Sequence, residues 1–144
     1  MHEEKLYQQV EEEFTATLIR ARRTLRRRAR QIHPELQPAG YKVLALLMKR
    51  DGQQQNELAE HLELDKATVS RIIKQLETQG LITRISDPAD RRAQLVSITD
   101  EARTSWIATG TEARQNLRRK LDEWSDEDVQ RFAELLHRLN VAED

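Results

Sequence analysis

Residues 55–98 read QNELAEHLELDKATVSRIIKQLETQGLITRISDPADRRAQLVSI. Apolar residues recur at helical spacing in the first part of this stretch and alternate with polar residues in the second. The spacing predicts a short helix over 55–62 and a second helix over 66–79, joined by a turn of about three residues. Two helices joined by so short a turn are typical of a helix-turn-helix unit.

Residues with strong local preferences mark where these elements begin and end. Asp65 is a favourable N-cap for the second helix, because its carboxylate can accept a hydrogen bond from the first turn. Gly80 is a suitable stop for that helix, since glycine readily adopts the left-handed conformation of the C′ position. Two short strands over 81–85 and 94–98 flank the polar loop 86–93, and this hairpin is predicted to form a wing.

On both sides of this stretch the chain has the pattern of helices. Apolar spacing predicts helices over 2–33, over 39–50, from a cap at Thr99 to Leu121, and over 125–140. Only four Gly and three Pro occur among 144 residues, which favours helix over turns. We therefore expect a mainly α fold with a small β-hairpin wing, in which a winged helix-turn-helix domain is joined to a helical dimerisation region.

Composition and charge exclude several classes of protein. The chain has no Cys, so it has neither disulfides nor thiolate metal sites. No apolar run approaches the roughly 20 residues of a membrane span, which leads us to expect a soluble, cytoplasmic protein without a membrane partner.

Seven Arg and no acid lie between Arg20 and Arg30, whereas residues 122–144 hold eight acids and two Arg. The arginines could pair with these acids, remain solvated or contact DNA phosphates, and the sequence leaves these alternatives open.

Several segments of the chain resemble the MarR (multiple antibiotic resistance regulator) family in order and spacing, over residues 38–103. They are ELAEHL (57–62), LDKATVSR (64–71), LETQGLITR (76–84), DPADRR (87–92) and LVSIT (95–99). Two positions depart from the family pattern: Gln54 replaces the usual Thr-type cap, and the segment 39–41 is atypical of the second helix's start.

The resemblance implies a single unit over 1–144. Its winged helix-turn-helix DNA-binding region would be 36–100, and its dimerisation region would be 1–33 together with 101–144. It also implies a regulator of neighbouring genes, acting by repression or activation and tuned by a small ligand.

The helix 66–79 has one apolar face, so its opposite face must point outward. Small residues there would let the helix approach base edges, Arg71 could meet a guanine or a phosphate, and Lys74 suits a phosphate. An ordinary solvated helix face is the alternative reading. The candidate DNA-binding residues of this helix are Lys66, Ala67, Thr68, Ser70, Arg71, Lys74 and Gln75.

The loop of the hairpin supplies a second candidate contact with DNA. Arg91 and Arg92 could enter a narrow minor groove, where the negative potential is enhanced. Asp90 is expected to pair with Arg92 and to hold the shape of the wing, as the family's Asp-x-Arg pattern does. The alternative is an exposed turn whose arginines only increase solubility.

Apolar stripes at both ends of the chain predict a homodimer, because one small domain cannot bury them all. The stripe residues are Leu6, Val10, Phe14, Leu18, Val129, Phe132, Leu136 and Leu139.

His33, Tyr41 and Trp106 are candidates for a crevice that binds a small effector, and nearby arginines favour an aromatic anion. Trp106, like Trp124, could instead lie in a helix interface.

The chemistry of enzymes and metal sites is not apparent in the sequence. The four His residues are widely separated and lack metal-ligand spacing, and no catalytic constellation is recognisable. We predict no cofactor and no enzymatic activity. The leading hypothesis is a ligand-responsive repressor that binds a pseudo-palindromic operator in double-stranded DNA as a homodimer. The alternative is a winged-helix protein-interaction module that does not bind DNA.

Overall fold

The computed structural model describes residues 2–142, and within them the fold is mainly α with one small antiparallel sheet, as predicted. Glu143 and Asp144 of the acidic C-terminal segment lie outside the described residues. The elements are α1 (Glu4–Ile32), α2 (Pro38–Lys49), β1 (Gln53–Gln54), α3 (Gln55–Leu62), α4 (Lys66–Thr78), β2 (Ile82–Ser86), β3 (Gln94–Ile98), α5 (Asp100–Leu121) and α6 (Asp126–Val141).

The sheet has three strands, so the expectation of two strands was incomplete. The strand order is β1-β3-β2, and β1 pairs with β3 through Gln53 opposite Val96. The sequence did not predict β1, because Gln53 and Gln54 show no alternation of apolar and polar residues. Their pairing partners in β3 lie about forty residues further along the chain. The buried side chain of Gln53 donates to the carbonyls of Leu46 and Arg50, at 3.0 and 2.7 Å. It thereby satisfies carbonyl groups at the end of α2.

The predicted start of α4 and its stop at Gly80 are confirmed, and the last helical residue is Thr78, one residue before the predicted end. The Asp65 carboxylate accepts a hydrogen bond of 2.7 Å from the Thr68 N–H and caps the start of the helix. Gly80 has φ +73°, and the backbone bonds of Gly80 to Glu77 and of Leu81 to Leu76 form a Schellman motif at its end. Local backbone chemistry therefore fixes where α4 begins and ends.

The core of the winged-helix segment is aliphatic, and α2 lies at its centre. Leu44 and Leu47 of α2 are fully buried, together with Ile73 of α4. Gly40 permits the close approach of α2 to α4, because a Cβ there would lie 2.9 Å from the Leu36 Cδ1 and 3.0 Å from the Leu76 Cδ2. This packing leaves the opposite side of α4 free to face outward.

Contacts divide the chain into two compact units, Met1–Thr109 and Gly110–Asp144. The first unit holds the sheet, α1 to α4 and the first part of α5. In the second unit, Ser125 caps α6 through the Asp128 N–H, and Trp124 meets Phe132 edge to face with ring centroids 5.5 Å apart. The functional division of the chain into 36–100 and its flanking helices stays a prediction. None of the described helices has the length and apolarity that crossing a membrane requires.

Candidate DNA interface

The outward face of α4 is polar and basic. Val69, Ile73 and Leu76 are buried on one side of the helix, and Arg71 and Lys74 lie exposed on the other. The remaining candidates are exposed at Lys66, Ala67 and Gln75 and half-buried at Thr68 and Ser70. The helix thus presents short side chains near its start and long polar ones along its middle, as insertion into a groove requires.

A local hydrogen-bond network orders the start of this face. The Thr68 hydroxyl donates to the Asp65 Oδ2 at 2.8 Å, and Arg71 Nη2 donates to the same hydroxyl oxygen at 3.4 Å. The backbone N–H of Thr68, and secondly its hydroxyl, lower the pKa of Asp65 below its ordinary value. Because the proton of Thr68 is committed to Asp65, the side chain is better suited to offer its methyl group to a base than to donate a hydrogen bond.

The wing loop is held by carboxylates that accept from backbone N–H groups. Asp87 Oδ1 accepts from Ala89 N at 2.9 Å, and Asp90 Oδ1 accepts from Arg92 N at 3.0 Å. Asp90 therefore contacts Arg92 through the main chain, and the expected pairing of these two residues does not involve the guanidinium. Within residues 2–142, the guanidinium groups of Arg91 and Arg92 form no hydrogen bond or ion pair, and both side chains are exposed.

Two tethers of the wing, one on β2 and one at the start of the wing loop, were not predicted from the sequence. Arg84 of β2 forms an ion pair with Glu77 of α4 at 3.3 Å and donates to Gln55 of α3 at 3.4 Å. Gln54 Nε2 donates to Asp87 Oδ2 at 3.2 Å. A signal existed for Arg84, because it shares a strand face with the buried Ile82, and a charged side chain on that face requires a partner.

The arginine cluster of α1 separates into two groups. Arg28 is half-buried beside the buried Ala29, whereas Arg23, Arg27 and Arg30 lie on the opposite, exposed side of the helix. In the described part of the chain, the cluster's side chains other than Arg28 form no hydrogen bond or ion pair. A shallow groove of about 460 Å³ runs along this side, lined by Arg23, Arg26, Arg27, Arg30 and Gln31.

Two of the three crevice candidates, Tyr41 of α2 and Trp106 of α5, lie together, and Arg28 of α1 contacts both of them. The rings of Tyr41 and Trp106 stack with centroids 4.7 Å apart, and the guanidinium carbon of Arg28 lies 4.3 Å from the Trp106 centroid. Arg28 also donates to the Tyr41 hydroxyl at 2.6 Å, to the Trp106 carbonyl at 2.9 Å and to Thr109 at 3.1 Å. Burial raises the pKa of the Tyr41 phenol, and the Arg28 charge partly offsets this. His33 instead accepts a hydrogen bond from the Glu35 N–H at 3.1 Å.

The apolar stripes of α1 and α6 are largely uncovered in the described chain. On α1, Val10 is 65% exposed and Phe14 is 50% exposed, and Leu6 and Leu18 are exposed as well. On α6, Phe132, Leu136 and Leu139 are exposed and Val129 is half-buried. Apolar stripes of this length rarely remain in water in a stable protein.

Comparisons with known proteins show similar sequences and similar folds. The sequence model of the MarR family matches residues 36–93. The uncharacterised HTH-type transcriptional regulator YxaD of Bacillus subtilis is 36% identical over 107 residues, which cover 74% of this chain and 75% of YxaD.

Solved structures share the fold over nearly the whole chain. The YusO protein of Bacillus subtilis superposes with a TM-score of 0.81 at 22% identity, covering 99% of this chain and 100% of YusO. FabT of Streptococcus pneumoniae, solved in complex with DNA, gives a TM-score of 0.77 at 17% identity and covers 93% of this chain and 94% of its own.

Proposed function

The chain belongs to the MarR family of transcription regulators. From this premise we propose that it is a homodimeric transcription repressor that acts in the bacterial cytoplasm. In this proposal it binds a pseudo-palindromic operator and releases it when a small effector binds. The observation that carries the proposal is the exposed basic surface of one compact unit. That surface combines Arg71 and Lys74 on α4 with the unpaired guanidinium groups of Arg91 and Arg92 on the wing.

Two elements of this surface suit the two grooves of B-DNA. The major groove admits a helix, and the short side chains at Ala67 and Ser70 allow base edges to come close to α4. The wing tip carries two adjacent arginines on a narrow hairpin, which matches the narrow minor groove of A·T-rich DNA. Lys74, whose ammonium group is compact, is assigned to a phosphate and fixes register rather than sequence.

The proposed function is tested by selecting bound DNA from a random duplex library with the full chain. We expect enrichment of an inverted repeat, and a mobility shift of the selected duplex that survives excess unrelated competitor DNA. Failure to enrich any sequence, together with binding that competitor removes completely, would instead support a protein-interaction module. A reporter gene placed behind the selected operator then separates repression from activation.

Arg71→Ala and Arg92→Ala should weaken operator binding in different ways. Loss of a base contact at Arg71 should cost about 1–3 kcal/mol and relax the preference at one position per half-site. Loss of Arg92 should weaken binding most where the flanks are A·T-rich, because the wing would read groove width and potential. Both side chains are exposed, so the melting temperature should change little.

The measurement is a quantitative shift assay on operators with single-base changes, and Lys42→Ala, at an exposed position of α2, serves as the control. If Arg92→Ala lowers the melting temperature but leaves the operator affinity of the folded protein unchanged, Arg92 stabilises the fold and does not contact DNA.

The proposed effector site is the cluster of Tyr41, Trp106 and Arg28, with His33 near the end of α1. Arg28 donates three hydrogen bonds within the cluster, and the other N–H groups of its guanidinium remain for a carboxylate. Stacked aromatic rings beside a cation favour a small aromatic anion. Such a ligand releases DNA only if it binds the DNA-incompetent state more tightly.

We therefore expect a phenolic carboxylate such as 4-hydroxybenzoate to dissociate the operator complex. Hydrogen peroxide should have no effect, because the chain has no Cys for reversible thiol oxidation. Each compound is titrated separately against the complex, with cyclohexanecarboxylate as a non-aromatic anion for control. Release by peroxide, and by no aromatic compound, would contradict this assignment.

A further inference from the structure

The wing is tied to the helices at its base by polar side chains. Arg84 lies on β2 and reaches Glu77 near the end of α4, with an Nε to Oε2 distance of 3.3 Å. The same guanidinium donates to Gln55 at the start of α3, with an Nη1 to Oε1 distance of 3.4 Å. One side chain thus connects the first strand of the wing to both helices of the helix-turn-helix unit.

Apolar packing holds the hairpin at its base and at Val96 of β3, which is buried and lies opposite Arg84. Ile82 and Ile98, which are paired across β2 and β3, are buried, whereas Ser86 and Gln94 at the far end are exposed. Beyond the residues of β3 that pair with β1, the hairpin is a two-stranded ribbon, which has little stability of its own. Its angle relative to α4 therefore depends on contacts near the base, where Arg84 lies two residues beyond Ile82.

The Arg84 bridge is partly shielded from solvent on the arginine side. The Arg84 side chain is 26% exposed and that of Glu77 is 45% exposed. A guanidinium held by two acceptors on different helices has few alternative orientations, because its planar fork fixes the direction of each N–H group. A second tether, from Gln54 to Asp87, holds the start of the wing loop.

We infer that Arg84 is a positioning residue, which sets the angle of the wing relative to α4 and so determines how well Arg92 reaches the minor groove. This inference rests on the proposed DNA-binding function. A small rotation at the base of a hairpin produces a larger displacement at its tip, so loss of the bridge affects the wing arginines first. The contacts of α4 itself, including Arg71, are spared because the caps and core of α4 do not involve Arg84.

Double-mutant cycles on the selected operator test this role. We expect Arg84→Gln to weaken binding about tenfold, and the penalty of Arg92→Ala to shrink to about twofold or less in the Arg84→Gln background. The penalty of Arg71→Ala should be the same in both backgrounds. Glu77→Gln should reproduce the effects of Arg84→Gln, because it breaks the same ion pair from the other side.

The controls separate positioning from stability and from direct contact. Thermal melts should show folded variants, and Arg84→Lys, which keeps the charge, should bind at least as tightly as Arg84→Gln. Additive penalties of Arg84→Gln and Arg92→Ala would overturn the inference. So would wild-type binding by Glu77→Gln, since it would indicate that Arg84 contacts DNA directly. If the wild-type chain selects no DNA, the proposed function has failed before the cycle begins.

Discussion

Insertion of about five base pairs between the half-sites of the selected operator is expected to abolish cooperative binding of the dimer. Half a helical turn rotates the second half-site to the opposite side of the duplex, because B-DNA repeats every 10–10.5 base pairs, approximately. One α4 can then enter its major groove while the other faces away from its own. Specific complexes are about 10³ to 10⁷ times tighter than non-specific ones, so the loss of one half-site should weaken binding at least about a hundredfold.

The measurement compares three duplexes of equal length by mobility shift at one salt concentration. The first is the selected operator, the second has the insertion between half-sites, and the third has the same insertion outside them. Only the second should lose affinity. Equal affinity for all three would show that a two-fold dimer does not read two half-sites on one side of the DNA.

Leu136→Asp on the apolar stripe of α6 is the second change for which we expect a large effect. Leu136 is 41% exposed in the single chain, and the proposed dimer covers it with a second copy. Obligate interfaces commonly bury more than about 2,000 Å², and an unpaired carboxylate placed in one costs several kcal/mol. We expect dissociation into monomers or aggregation, and a drop in operator affinity comparable to that caused by the half-turn insertion.

Sedimentation and light scattering measure the oligomeric state over a range of protein concentrations. Gln130→Asp introduces the same charge on the other side of α6, and it should leave both the dimer and its DNA affinity intact. Deletion of residues 125–144 should give aggregation or unfolding. A well-folded monomer that still binds the operator with wild-type affinity would disprove the proposed assembly.

The sequence alone determined the elements whose ends are set by local chemistry. Asp65 begins α4 and Gly80 ends it, because a capping carboxylate and a left-handed glycine act on backbone groups within a few residues. The alternation over 94–98 likewise predicted β3, and helical spacing predicted the apolar face of α4 and the exposed stripes. The exposed basic face of α4 followed from the same pattern, since whatever lies opposite a buried face must point outward.

Tertiary structure decided the contacts between residues that are distant along the chain. β1 is a strand because Gln53 pairs with Val96 of β3. Two consecutive glutamines carry no sequence pattern that would predict this pairing. The partners of Arg84 are likewise set by where β2 crosses α3 and α4. Seven arginines within residues 20–30 look alike in the sequence, yet the packing of α1 in the described chain directs Arg28 onto Tyr41 and Trp106. Local hydrogen bonds are encoded by neighbours, whereas the partner of a long charged side chain is chosen by the folded chain around it.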